Sequence, residues 1–267
     1  MKAVILAGGR GLRFDEETHR KPKPMIEVGG KPMLWHIMSI YRQHGIRDFV
    51  VCVGYMGDMI REYFANFAYR HSDLTIDLRT GKMKVHSPPQ EDWRVTIVDT
   101  GLDTQTGGRL KRVSHLLDET FLMTYGDGVS DVDISATIDF HRRHRKLATV
   151  TAVTPPGRWG ALRTDTNGRV THWEEKPARG GGVINGGFFV LQRKVLDLIE
   201  DDSTEFEFKT LMKLVAQGEL MAYQHDGYWQ AMDTAKDRAL LESHWNDGDA
   251  PWLKLGRRPR HRLVAVK

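Results

Sequence analysis

A chain of 267 residues with 40% hydrophobic content can bury a substantial core and falls in the size range of a single α/β domain. One cysteine, Cys52, excludes an internal disulfide. No run approaches the ~20 apolar residues of a membrane span. The opening "AVILA" is too short for a secretory h-region, so a cytoplasmic protein is expected. The net charge of +4 resides in the stretch from Trp245 to Lys267, six Lys and Arg against two Asp, which argues for a solvated basic tail and against a nucleic-acid-binding face.

Taken in chain order, apolar runs of strand length alternate with helical patterns. "KAVIL" reads as a strand and "KPMLWHIMSIYRQHG" as a helix, with Pro32 near its start, apolar Leu34, Ile37, Met38 and Tyr41 on one face, and Gly45 past its end. "DFVVCV" is a strand in which Cys52 reads as a small buried hydrophobe, and "MIREYFANF" is a helix with Tyr63, Phe64 and Phe67 at core spacing. "WRVTIVD", "TFLMTYGD" and "KLATVTAV" continue as strands, with the helix "VDISATIDFHRRH" before the last. This βαβ alternation predicts an α/β fold with a Rossmann-like, doubly wound, mixed but mostly parallel sheet.

After Thr154 the runs shorten around "PPGRWGALRTD", "GRVTHWEEKP" and "GGVINGGFFVL", which suggests a partly antiparallel insertion laid onto the first half. Two further helices, "EFEFKTLMKLVAQG" and "TAKDRALLESHW", close the domain. The expected organisation is one domain over 1–245, divided at about 153/154, with a basic tail over 246–267. The histidines of "HRRHRK", His141 and His144, read as the solvated end of a helix, since a metal site would need a third ligand.

The first strand breaks into "AGGRGLR". Glycines there let the backbone approach an oxyanion closely, and an arginine adds a planar fork for phosphate. Two phosphate motifs are excluded: a GxGxxG from Gly9 would need glycine at Phe14, and a P-loop ending at Gly30-Lys31 would need glycine at Met25. The loop alone leaves a tight turn and a phosphate cradle as equal readings. Downstream, "KPKPM" carries Lys21 and Lys23 in a segment stiffened by Pro22 and Pro24.

"LAGGRGLR", "KPKPM", "TYGDG", "EEKP", "INGGFFV" and "WQAMDT", in this order, resemble the sugar-1-phosphate nucleotidyltransferase family over Met1 to about Trp252, and within it the cytidylyl-transferring members. The resemblance implies a nucleotide-diphospho-sugar transferase fold and a magnesium-dependent enzyme that joins CTP to glucose 1-phosphate. It further implies a homo-oligomer, a role in nucleotide-sugar supply for surface polysaccharide, and neither nucleic acid nor membrane as partner. UTP or dTTP in place of CTP, and a non-catalytic homologue that senses nucleotide sugars, are the alternatives; a nicotinamide-dependent dehydrogenase is set aside by the failed fingerprint.

By the same resemblance, Leu6, Gly8, Gly9, Gly11 and Leu12 surround the nucleotide, and Arg13 and Lys23 neutralise phosphate charge as the catalytic cations. Gly107, Gly108 and Arg109 of "TGGR" meet the base. Asp127 and Asp233 hold Mg²⁺. Glu175, Lys176, Asn185, Gly186 and Gly187, together with Asp127, meet the sugar phosphate. By residue type alone, Asp127 is equally a turn residue before glycine and Asp233 equally a helix cap. Two positions depart from the family pattern. Leu12 stands where threonine is expected, a lost hydroxyl contact worth about 1 kcal/mol, and Ala231 stands where proline is expected, which loosens the backbone before Asp233.

Overall fold

The computed structural model describes residues 1–11, 18–155, 182–253 and, as backbone only, 161–164 and 170–174. Seven strands form the central sheet: β1 (Lys2–Ala7), β2 (Asp48–Val53), β3 (Arg94–Asp99), β4 (Thr120–Tyr125), β5 (Ala148–Val153), β6 (Ile184–Gln192) and β7 (Leu220–His225). Their spatial order is β7-β5-β6-β4-β1-β2-β3. Only β6 runs antiparallel to its neighbours; the other pairings are parallel.

β1 shows why the strands read as continuous apolar runs. Ala3, Ile5 and Ala7 enter one core while Val4 and Leu6 enter the other, so both faces are covered and alternation disappears. On the first face lie α1 (Met33–Gln43), through Leu34, Ile37, Met38 and Tyr41, and Ile60 of α2 (Gly57–Ala65). On the second lie Leu110 of α3 (Thr106–Arg112) and Leu214 of α5 (Leu211–Ala216). α4 (Ile134–His144) packs beside β5 and β7, and α6 (Ala235–Asn246) completes the helices that matter below.

Three expectations are corrected. The segment after Thr154 is not simply laid onto the first half, because β6 and β7 complete the central sheet; its apolar run "FFVL" is buried on both faces, which only an interior strand position allows. A separate antiparallel pair, Ala161–Thr164 with Val170–Glu174, is what remains of the insertion among the described residues. Second, the chain does not leave the fold at Asn246. Trp252 is buried and its indole N–H donates to His36 Nδ1 at 3.1 Å. Third, His141 is not solvated. It is buried with Nδ1 2.9 Å from Thr149 Oγ1 and Nε2 2.9 Å from Gln192, while His144 Nε2 shares the same Thr149 hydroxyl at 2.7 Å. Among the described residues no three His, Cys, Asp or Glu side chains gather as metal ligands, and no helix is long and apolar enough to cross a membrane.

Burial pushes the pKa values of both His36 and His141 down to about 4. The two imidazoles are thus neutral in the fold while the unfolded chain protonates near pH 6.5, so unfolding takes up protons between those values. Their contribution is whole above pH 6.5 and is lost as the pH falls toward 4, at up to about 1.4 kcal/mol per pH unit for each. Urea unfolding at pH 7 and pH 5 should show a clearly lower midpoint at pH 5, and equal midpoints would contradict this.

Candidate active site

β1 feeds outward to β2 and β3, and the chain then crosses back to place β4 on the other side of β1. The β1/β4 pair is therefore the switch point of the sheet, where open α/β folds bind ligands beyond the strand carboxyl ends. A cleft of about 840 Å³ opens there, within the size range of small-molecule sites.

Lys23 occupies the middle of it. Pro22 and Pro24 hold the segment, and Lys23–Met25 forms one 3₁₀ turn in which Pro24 packs against the backbone of Gly126. The Lys23 ammonium, only 7% exposed, donates to Asp127 Oδ2 and to Asp233 Oδ1, both at 2.7 Å. Burial by itself would lower the lysine pKa, but the charges and hydrogen bonds of Asp127 and Asp233 outweigh it and hold the pKa above its ordinary value. Asp127 follows β4 directly. Asp233 is not the cap of α6: Thr234 is, in a capping box with Asp237, which leaves the Asp233 carboxylate turned to the cleft. Residues 104 and 210 positions apart in sequence thus meet at one nitrogen. Lys21, its neighbour in the motif, is a surface partner of Glu27 instead.

The wall on the other side is built around Arg109. Its guanidinium is 4% exposed, and its two terminal nitrogens reach five oxygens: Val53 O, Thr100 Oγ1 and Gly101 O from Nη1, Gly8 O and Leu102 O from Nη2. Those acceptors lie just beyond β1, β2 and β3, so one side chain from α3 ties three strand ends together. The expectation placed Arg109 against the base; in the structure it lines the cleft while its terminal N–H groups hold four carbonyls and the Thr100 hydroxyl, which gives it a holding role in the wall. Gly8 has to be glycine for this, because a Cβ there would lie 2.1 Å from Nη1.

Gly107 and Gly108 also have a use inside the protein. Residues 202–204 cross directly over the start of α3, where Gln105 N donates to Asp202 O and Gly107 N to Thr204 O. A Cβ on Gly107 would come within 2.6 Å of Thr204 O, and one on Gly108 within 2.5 Å of Asp202 Cα. Leu6, Gly8, Gly9 and Gly11 line the cleft.

Opposite, Asn185, Gly186 and Gly187 open β6 and line the cleft too. Asn185 Oδ1 accepts from Gly187 N at 2.8 Å, and Gly187 has φ +82°, a conformation that favours glycine. Trp229 and Glu207 are among the lining residues that the sequence did not single out. Trp229 donates its indole N–H to Gly186 O at 2.7 Å, and Glu207 stands among Thr106, Tyr125 and Asn185. A tryptophan immediately ahead of "QAMDT" was the available signal for the first; nothing marked the second. Leu12, Arg13, Glu175 and Lys176 lie outside the described residues.

A family profile described as nucleotidyl transferase matches residues 2–249. The chain belongs to that family. It is 57% identical over 254 residues to the glucose-1-phosphate cytidylyltransferase of Salmonella typhi, covering 94% of this chain and 98% of the relative. A UTP–glucose-1-phosphate uridylyltransferase of a Synechocystis strain is 31% identical, covering 74% of this chain and 51% of the relative. Among solved structures, HddC from Yersinia pseudotuberculosis complexed with GMP-PN shares the fold of this nucleotidyl transferase with a TM-score of 0.68 at 22% identity, covering 91% and 99% of the two chains.

Arg109 gives the wall a direct test. Arg109→Lys replaces a five-acceptor fork by one ammonium and takes their donor from the Gly101 and Leu102 carbonyls, at a cost of about 2 kcal/mol. Denaturant unfolding should report a loss of that order, and a variant as stable as the parent would remove Arg109 from the role assigned here.

Proposed function

We propose that this nucleotidyl transferase joins CTP to glucose 1-phosphate, forming CDP-glucose and pyrophosphate. The observation that carries the choice of substrates is whole-length similarity: 57% identity to a cytidylyltransferase across 94% of the chain, against 31% to a uridylyltransferase across 74%.

A phosphate oxygen of glucose 1-phosphate attacks the α-phosphorus of CTP, a new P–O bond forms in line, and the bond to the β-phosphate oxygen breaks as pyrophosphate leaves. The nucleophile is already an anion, so no general base is required. What the protein must supply is alignment and charge neutralisation. Backbone at Gly8, Gly9 and Gly11 lines the place where the triphosphate enters, and Lys23, whose Cβ lies close to Gly11, brings its ammonium to the same cleft. A cation directed at developing charge contributes about 3 kcal/mol.

The donor set also suits magnesium. Asp127 and Asp233 offer two hard carboxylates within reach of one point, and Mg²⁺ takes one or two carboxylates with phosphate oxygens and water. When bound, such an ion supplies charge neutralisation at the phosphates. The single charge of Lys23 does not balance both carboxylates and a polyphosphate, so a further cation is needed for the nucleotide to approach. Arg13 as a second catalytic cation, and Glu175 and Lys176 on the sugar phosphate, are supported by the family resemblance. A cytoplasmic location and self-association belong to the same proposal.

Pyrophosphate release with Mg²⁺ and glucose 1-phosphate, compared across CTP, UTP, dTTP, ATP and GTP, tests the reading. CTP should be preferred strongly, and Asp127→Asn or Asp233→Asn should each lower kcat at least about 100-fold. Turnover that favours UTP would overturn the choice of base. Nucleotide binding without turnover of any of the five would move the protein to the sensing class.

A further inference from the structure

Glu207 lies in the cleft without a place in the reaction as derived. It belongs to a single π-helical turn, Phe206–Thr210, that runs into α5. Such turns are rare and frequently occur at functional sites. Phe206 is wholly buried, edge-on to Phe189 of β6 with ring centroids 5.7 Å apart, which fixes the turn from beneath and leaves Glu207 facing the cleft.

Its carboxylate has two protein partners. Oε1 accepts from the Tyr125 hydroxyl, and Oε2 accepts from Thr106 Oγ1 at 2.7 Å; that Thr106 hydroxyl oxygen in turn accepts from Phe206 N at 2.9 Å. On the far side, Asn185 Oδ1 accepts from Gly187 N, which holds the turn that opens β6. The Tyr125 ring lies directly under Gly187, where a Cβ would meet Cδ2 at 2.9 Å. A continuous chain of contacts therefore runs from Thr106 through Glu207 and Tyr125 to the turn at Asn185–Gly187.

We propose that Glu207 is a positioning residue for the sugar phosphate: as a hydrogen-bond acceptor it holds Tyr125 beneath the Asn185–Gly187 turn. This rests on the proposed reading of that turn as the sugar side. Its effect falls there rather than on the nucleotide side, because the Thr106 end is held independently by the backbone bonds Gln105 to Asp202 and Gly107 to Thr204. The role needs an acceptor, not a charge, since both of its partners are neutral hydroxyls.

The test uses the full chain with Glu207→Ala, Glu207→Gln and Tyr125→Phe. For Glu207→Ala and Tyr125→Phe, the KM for glucose 1-phosphate should rise about fivefold, as for one lost hydrogen bond, with the KM for CTP moving less than about twofold. Glu207→Gln, which keeps an acceptor for Tyr125, should stay near the parent. Combining Glu207→Ala with Tyr125→Phe should be no worse than either alone, since both remove the same bond. Hydrogen exchange across residues 184–190, read without substrates, should quicken in Glu207→Ala and Tyr125→Phe but not in Glu207→Gln. Unchanged exchange, an equal rise in the KM for CTP, or a Glu207→Gln variant as impaired as Glu207→Ala would each overturn the proposal. An inactive parent protein would instead count against the cytidylyltransferase reading, and the exchange measurement would still decide the role of Glu207.

Discussion

The Lys23 ammonium held between Asp127 and Asp233 is the contact on which the rest of the site depends. A buried cation is costly unless its donors are taken up, and two carboxylates brought together repel each other unless a cation lies between them. Each requirement answers the other. The three residues come from the segment after β1, the end of β4 and the approach to α6, so this one contact fixes how the three pieces of chain close over the switch point. The prolines around Lys23 and the capping box at Thr234 are the local devices that present those side chains at the right place.

Arg109 meets the companion problem on the other wall. Parallel strands end with carbonyls pointing at the cleft; Val53 O and Gly8 O also have backbone donors in Thr100 N and Tyr55 N, whereas Gly101 O and Leu102 O, where the chain turns away, are met by Arg109. A planar guanidinium gathers them, which lets glycine-rich backbone approach within contact distance without any regular secondary structure. Burial lowers the pKa of Arg109, yet a guanidinium stays charged over any accessible pH. Arg109 thus braces one wall of the cleft, while the acceptor chain through Glu207 does similar work on the opposite side.

The sheet was legible because its strands are buried on both faces and so appear as uninterrupted apolar runs, as "AVILA" and "DFVVCV" do. The two-stranded unit Leu74–Asp77 with Lys82–Val85 was not, because it is largely exposed and alternates lysine with isolated apolar residues. Lys23, Asp127 and Asp233 could be named from their motifs, but their convergence could not, since nothing local encodes a contact between positions 23 and 233. "TGGR" holds more than its motif announces. Glycine pairs signal a close approach without saying what approaches, and at Gly107 and Gly108 the protein's own segment 202–204 comes within contact. His141 was misread: a histidine among arginines looks solvated, while α4 turns that one position toward Thr149 and Gln192.

The central claim, that Lys23 and the two aspartates form one interdependent unit, is tested most directly by unfolding free energies of two variants. Lys23→Met leaves both carboxylates in place without their shared cation, whereas Lys23→Met combined with Asp127→Asn and Asp233→Asn removes all three charges at once. The partial exposure of the carboxylates, 28% and 19%, tempers the cost of the single change to about 2 kcal/mol. The account predicts that loss for the single variant and recovery of most of it in the triple one. A single variant as stable as the parent, or a triple variant destabilised by the sum of independent losses, would contradict it.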